Sequence, residues 1–182
     1  MELPEFENNF TGYEPPPELI HLKNFQDNYP DYSEGFYLLA DDKSGIKTWS
    51  DHPNFLRQLI PFAQANGSGS TYAIWINGTD KTLSELPIVV FGDEGGVHIV
   101  AENVLQLMHL LTFDSEIMVD WDQAYFYKGE DNYESDDQAL YKSWLKKNFK
   151  LDPITDPNKV VKQAQEKYKA DFDAWFAQYY KY

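Results

Sequence analysis

The sequence predicts an α+β fold: a mainly antiparallel sheet of about four to six strands flanked by helices, with a long C-terminal helix. Three observations carry that expectation. The apolar runs "TYAIWIN", "IVVFG" and "VHIVA" read as three strands, the last two joined by a glycine-containing hairpin turn. Val161, Ala164, Tyr168, Phe172, Trp175 and Tyr179 recur at the spacing of one helix face. A 42% hydrophobic and 16% aromatic content is enough for a substantial core in a chain of one-domain length.

In order along the chain, residues 1–35 read as an irregular N-terminal extension. The three consecutive prolines in "YEPPPELI" favour polyproline II, with at most a short helical turn from Glu18. Residues 36–128 read as a sheet-rich core. Within it "FYLLA" is a strand, "DDKSG" a turn and "IKTW" the return strand. Asp51 then caps a helix with Pro53 in its first turn; Phe55, Leu56, Leu59 and Ile60 form its stripe, and Pro61 kinks it. "NGSGS" turns that helix into a strand, and "GTDK" separates "TYAIWIN" from the next strand. Asn103 and Gln106 have capping-box spacing ahead of a helix with Val104, Leu105, Met108 and Leu111 inward; "AYFYK" is a further strand. Residues 135–182 read as a helical C-terminal part. Ser135 and Gln138 have capping-box spacing ahead of a helix with Leu140, Trp144 and Leu145 buried. Asp156 and Pro157 open the last helix. No linker divides the chain, so 1–182 reads as one domain.

Composition excludes several functions. With no cysteine there is no disulfide, zinc thiolate or cysteine nucleophile. No apolar run reaches the roughly 18 residues of a membrane span, and the acidic opening "MELPEFENNF" lacks the apolar segment of a secretory signal. A cytoplasmic protein with no membrane role is expected. The two glycosylation sequons, at Asn9 and Asn77, are then chance matches. The net charge is −15, with a single arginine, Arg57, so nucleic acid is not expected as a partner. The charge is uneven. From residue 138 onward nine lysines face five acids, which leaves −19 on residues 1–137. Between 114 and 137 nine acids stand against Lys128 alone. That face is either a solubilising surface or a surface for a basic protein.

Candidate sites gather around "IVVFGDEGGVHIVA". Asp93, Glu94 and His98 flank two glycines, which suggests a catalytic or metal constellation or a hairpin turn. The glycines tolerate a turn's positive φ, Asp93 suits its start, and Glu94 sits at its tip. His98 would face away from Val97 and Ile99, together with Val100. His21, His52 and His109 are scattered, so no metal-ligand spacing exists. A turn with a structural aspartate is favoured over a partner contact, and both over catalysis. "NGSGS" lacks the lysine of a phosphate loop. Asp120 and Asp122 fit the first and third positions of a calcium loop, but Ala124 and Tyr125 fill the next required ones. No metal or cofactor is expected. Trp75, Trp144 and Trp175 lie on buried patterns, while Trp49 and Trp121 fall at loop edges and are the better surface candidates. The expected partner-binding residues are thus Asp93, Glu94, His98, Trp49, Trp121, Asp120 and Asp122.

"STYAIWI" followed by "LPIVVFGDEGGVHIVAENVLQLMHLL" resembles the SUKH superfamily, the group of the yeast cell-wall-assembly regulator and its bacterial relatives. The likeness extends upstream through "SGIKTWSDHPNFLRQLIPFAQANGSGS". Downstream it continues through "AYFYKGEDNYESDDQALYKSWLKKNFKLDP", in the manner of a bacterial branch. It covers about two thirds of the chain and departs from the family's usual helical opening in the first 35 residues. The resemblance implies an antiparallel sheet flanked by helices and a non-enzymatic role. It points to an immunity protein that neutralises a toxin domain, with a signalling adaptor of the fungal type as an alternative. A small-molecule or glycan binder is a further alternative, suggested by the loop tryptophans, and a hydrolase using Asp93, Glu94 or His98 is a third.

Overall fold

The three central apolar runs become neighbouring antiparallel strands; a tight turn joins the last two, and a longer segment with a 3-10 turn (Leu83–Glu85) joins the first two. The computed structural model describes residues 1–78, 80–129 and 133–180. Its main sheet is antiparallel, and its five strands lie in sequence order: β1 (Tyr37–Leu38), β2 (Leu59–Gln64), β3 (Thr71–Trp75), β4 (Ile88–Phe91) and β5 (Val97–Ala101). The "GTDK" segment contains Thr79, which lies outside the described residues. A separate hairpin pairs β6 (Ile117–Val119) with β7 (Ala124–Phe126). The fold is α+β.

Both faces of the sheet are covered, so the strands β4 and β5 are buried along their whole length. Side chains alternate between the faces. Tyr72, Ile74, Ile88, Val90 and Val100 join a core with the helices α2 (Pro17–Gln26), α5 (Val104–Leu110) and α6 (Gln138–Phe149). Ala73, Trp75, Val89, Phe91, Val97 and Ile99 face α7 (Pro157–Phe176). The helical spacing predicted for α7 holds through Trp175: Val161, Ala164, Tyr168, Phe172 and Trp175 are buried, while Tyr179 lies half-buried in a turn past the helix end; Asp156 caps the helix by accepting from the Lys159 amide at 3.0 Å. Phe55 stacks on Trp175 at 5.4 Å, and Gln165 donates to the Ile99 carbonyl, which fastens α7 to β5. Among the described residues no helix is long and apolar enough to cross a membrane.

The N-terminal segment is not irregular. It forms α1 (Leu3–Glu7), a 3-10 turn and α2, and it buries Phe6, Phe10, Leu19, Leu22 and Phe25. The proline run ends where a helix can begin, because Pro17 falls in the first turn, where an amide has no helical partner to lose. Gln26 of α2 explains why β1 is so short. Its amide donates to the Leu38 carbonyl and accepts from the Leu38 N–H, at 3.1 and 2.8 Å, and so occupies the outer edge of the sheet.

The stretch after β1 also departs from expectation. "IKTW" is not a strand: Ser44–Lys47 is one helical turn, α3. The next helix, α4 (Pro53–Arg57), is capped by His52 and not Asp51, and it ends before Pro61. The chain then enters β2. Pro61 is tolerated there because Ile76 donates to Gln58, so by alternation Ile60 bonds across to β3. The missing donor of Pro61 faces the other side, beyond the end of β1, and a bulge follows at once. Lys43 ends α4 by donating to the Leu56 and Leu59 carbonyls at 2.6 and 2.8 Å. The apolar spacing of 55–60 fits a helix, yet Leu59 and Ile60 serve opposite faces of the sheet.

Asp114 ties the C-terminal half to this frame. It is fully buried, with a left-handed φ of 57°, just after the 3-10 turn that ends α5. Its Oδ1 accepts from the Glu34 amide at 3.0 Å and the Ser135 hydroxyl at 2.7 Å; its Oδ2 accepts from the Ser135 amide at 2.8 Å. Ser135 and Gln138 therefore form no capping box. Gln138 is buried and donates to the carbonyls of Tyr32 and Leu111. Tyr141 and Leu145 make the buried face of α6, while Leu140 is exposed. Asp114→Ala leaves the Glu34 and Ser135 donors without their carboxylate, and we expect a loss of roughly 2–4 kcal/mol in urea unfolding.

Candidate functional site

The β4–β5 hairpin is built by its glycines. Gly92 donates to the Gly96 carbonyl at 2.9 Å, and Gly95 and Gly96 take φ of 123° and 81°. Their second requirement is space. A Cβ on Gly95 would lie 2.3 Å from the Trp121 indole, and one on Gly96 would lie 2.0 Å from the Asp120 carbonyl oxygen. The β6–β7 loop therefore docks on the hairpin tip through the Asp120 backbone at Gly96 and the Trp121 indole at Gly95.

Asp93 and Glu94 are neighbours with different surroundings. Asp93 Oδ1 accepts from the hydroxyls of Ser68 and Ser70 at 2.8 and 2.7 Å. Partial burial works to raise its pKa, but hydrogen bonds from Ser70 and then Ser68 more than offset it and hold the carboxyl below the ordinary range. "NGSGS" is thus a strand-to-strand turn and not a helix-to-strand one, organised by Asn66, whose Oδ1 accepts from the Ser70 amide at 2.9 Å. Asp93 clamps this turn to the β4–β5 hairpin. Glu94 is exposed at the tip.

His98 is buried within β5, opposite Val90, and its Nε2 lies 2.7 Å from the Asp120 carbonyl oxygen. A carbonyl only accepts, so that nitrogen carries the proton. Burial pushes the imidazole pKa down. The Asp120 carbonyl opposes the shift, Lys169 adds to it, and Asp173 and Asp120 counter it.

Two open clefts meet at Trp121, which is 54% exposed. One, of about 410 Å³, is bounded by Trp49, Phe91, Tyr180 and Trp121, with Asp93 and Glu94 at its side. Trp49 stands 6.0 Å from Trp121 at 63°, 6.1 Å from Phe91 and 5.1 Å from Tyr180. The other, of about 370 Å³, is bounded by His98, Trp121, Asp122, Lys169 and Asp173. Asp120 and Asp122 are exposed beside Trp121. All seven sequence-predicted residues therefore gather around one loop contact. Phe91, Tyr180, Ser68 and Ser70 escaped the sequence reading: Phe91 reads as plain core, and the serines lie more than twenty residues from the aspartate they bond. The acidic stretch of 114–137 includes residues 130–132, which lie outside the described residues.

Asp93 and His98 line different clefts, and each is engaged by its own hydrogen-bond partners. Among the described residues no group of three histidines or acids is placed to hold a metal. No protein-family model, curated protein or solved structure matches the chain.

Two outcomes test the site's construction. Gly96→Ala combines a strained φ with the Asp120 clash, and we expect roughly 2–4 kcal/mol of destabilisation in urea unfolding. Gly12→Ala, at φ 91° with nothing within 4 Å, should cost only about 1 kcal/mol. For His98, a folded pKa below the unfolded one means the folded state binds the proton less readily. Its share of stability is complete above about pH 6.5. That share declines as pH falls from there toward the lowered folded value. Urea unfolding across this window should show the decline in the native chain and lose it in His98→Gln.

Proposed function

We propose that this chain is a non-enzymatic protein-binding module of the cytosol, an immunity protein that binds and neutralises a basic toxin domain. The observation that carries the binding face is Trp121, more than half exposed yet held in place by the hairpin glycines, with exposed Glu94, Asp120 and Asp122 around it. A fixed aromatic anchor inside a charged rim is the usual composition of a binding hot spot. The excess negative charge of residues 1–137 selects a basic partner and speeds encounter with it. The immunity role itself rests on the SUKH resemblance of the sequence.

A glycan or small-molecule ligand is the second reading, favoured by the aromatic walls of the 410 Å³ cleft. The two readings separate by experiment. Tagged protein should capture a basic toxin-like partner at low salt and release it at high salt. Trp121→Ala should weaken that complex by about thirtyfold or more. Capture of the bait alone, with a rise in melting temperature on adding one sugar of a panel, would replace the first reading with the second.

A further inference from the structure

We propose that the cleft between Trp49 and Trp121 is an aromatic cage for an arginine side chain of the partner protein. The proposal deepens the protein-binding reading and rests on it. Three steeply inclined rings form the walls: Trp121 meets Trp49 at 63°, and Tyr180 meets Trp49 at 60°. Phe91 adds a further aromatic ring. Ring faces attract cations through their quadrupole, and most strongly when the cation leaves water.

Charge selects the same occupant. Asp93 and Glu94 border the cleft, and among its described lining residues there is no lysine or arginine. The neighbouring cleft, across Trp121, differs in this respect, because Lys169 lines it and pairs with Asp173. The Trp49 side thus holds acid with no cation of its own lining it. The serine hydroxyls on Asp93 stabilise its anionic form, so negative charge is fixed beside the rings. Glu94, exposed at the hairpin tip, reaches the cleft from the solvent side. A planar guanidinium can stack on an indole while donating to a carboxylate in two parallel bonds; an ammonium cannot do both.

The walls are held before any ligand arrives. Trp49 packs on Phe91 and Phe176 at 6.1 and 6.0 Å, and the Trp121 indole lies against Gly95. Little ordering remains to be done on binding.

The test is titration of the full chain with N-acetyl-arginine methylamide, followed through the indole N–H signals of Trp49 and Trp121 by NMR. The expected result is a saturable shift of both signals, with half-saturation roughly in the millimolar range for so small a probe. The neutral citrulline analogue should bind at least about tenfold more weakly. Glu94→Gln should weaken the arginine probe about three- to tenfold, and Trp121→Ala should remove the Trp49 response. Both substitutions are at exposed positions, and urea unfolding of each variant checks that the fold is kept. Absence of a saturable shift up to about 50 mM overturns the proposal. Equal binding of citrulline overturns it too, and equal binding of the lysine analogue overturns arginine as the occupant. A basic partner captured from lysate alongside a silent titration would leave the protein-binding reading standing and remove the cage.

Discussion

The carboxylate of Asp114 joins three parts of the chain that share no secondary structure. Its donors come from Glu34 and Ser135, and it sits itself at the end of the 3-10 turn following α5. A buried anion is tolerated only when its lone pairs are met, and here three donors meet them. The left-handed turn at the same residue redirects the chain into β6. From there the β6–β7 loop reaches the β4–β5 hairpin and brings Trp121 to Gly95. The N-terminal helices, α6 and the candidate site all refer back to this one side chain.

Much of this architecture was legible in the sequence where local pattern and final environment agree. Strands β3, β4 and β5 and the helix α7 follow directly from apolar periodicity and from the Asp156–Pro157 start. The reading failed where long-range partners decide. Residues 55–60 carry a helix-like spacing, but a strand position beside β3 was available from Leu59 and Pro61 could be placed on its unbonded side. The N-terminal prolines suggested an extended segment until Pro17 proved to be a helix start. Ser135 and Gln138 have the spacing of a cap, yet their hydrogen bonds go to residues as distant as Asp114 and Tyr32.

The site shows the same division. Asp93, Glu94 and His98 were visible as a group because they are close in sequence. That Trp49, Trp121, Asp120 and Asp122 join them depends on loop packing that no local pattern encodes. Adjacency was also misleading in one respect. Both acids are exposed, but Asp93 is engaged by two serine hydroxyls while Glu94 stands at the hairpin tip.

The contact between the two hairpin tips joins the Gly95 and Gly96 backbone to the Trp121 indole and the Asp120 carbonyl, with the His98 ring also bonded to that carbonyl. The exposed acids at 94, 120 and 122 stand on that ledge. Such a surface can exchange its outward residues while its skeleton stays unchanged. Substitutions at these outward positions leave the glycine pair and the loop contact beneath them in place.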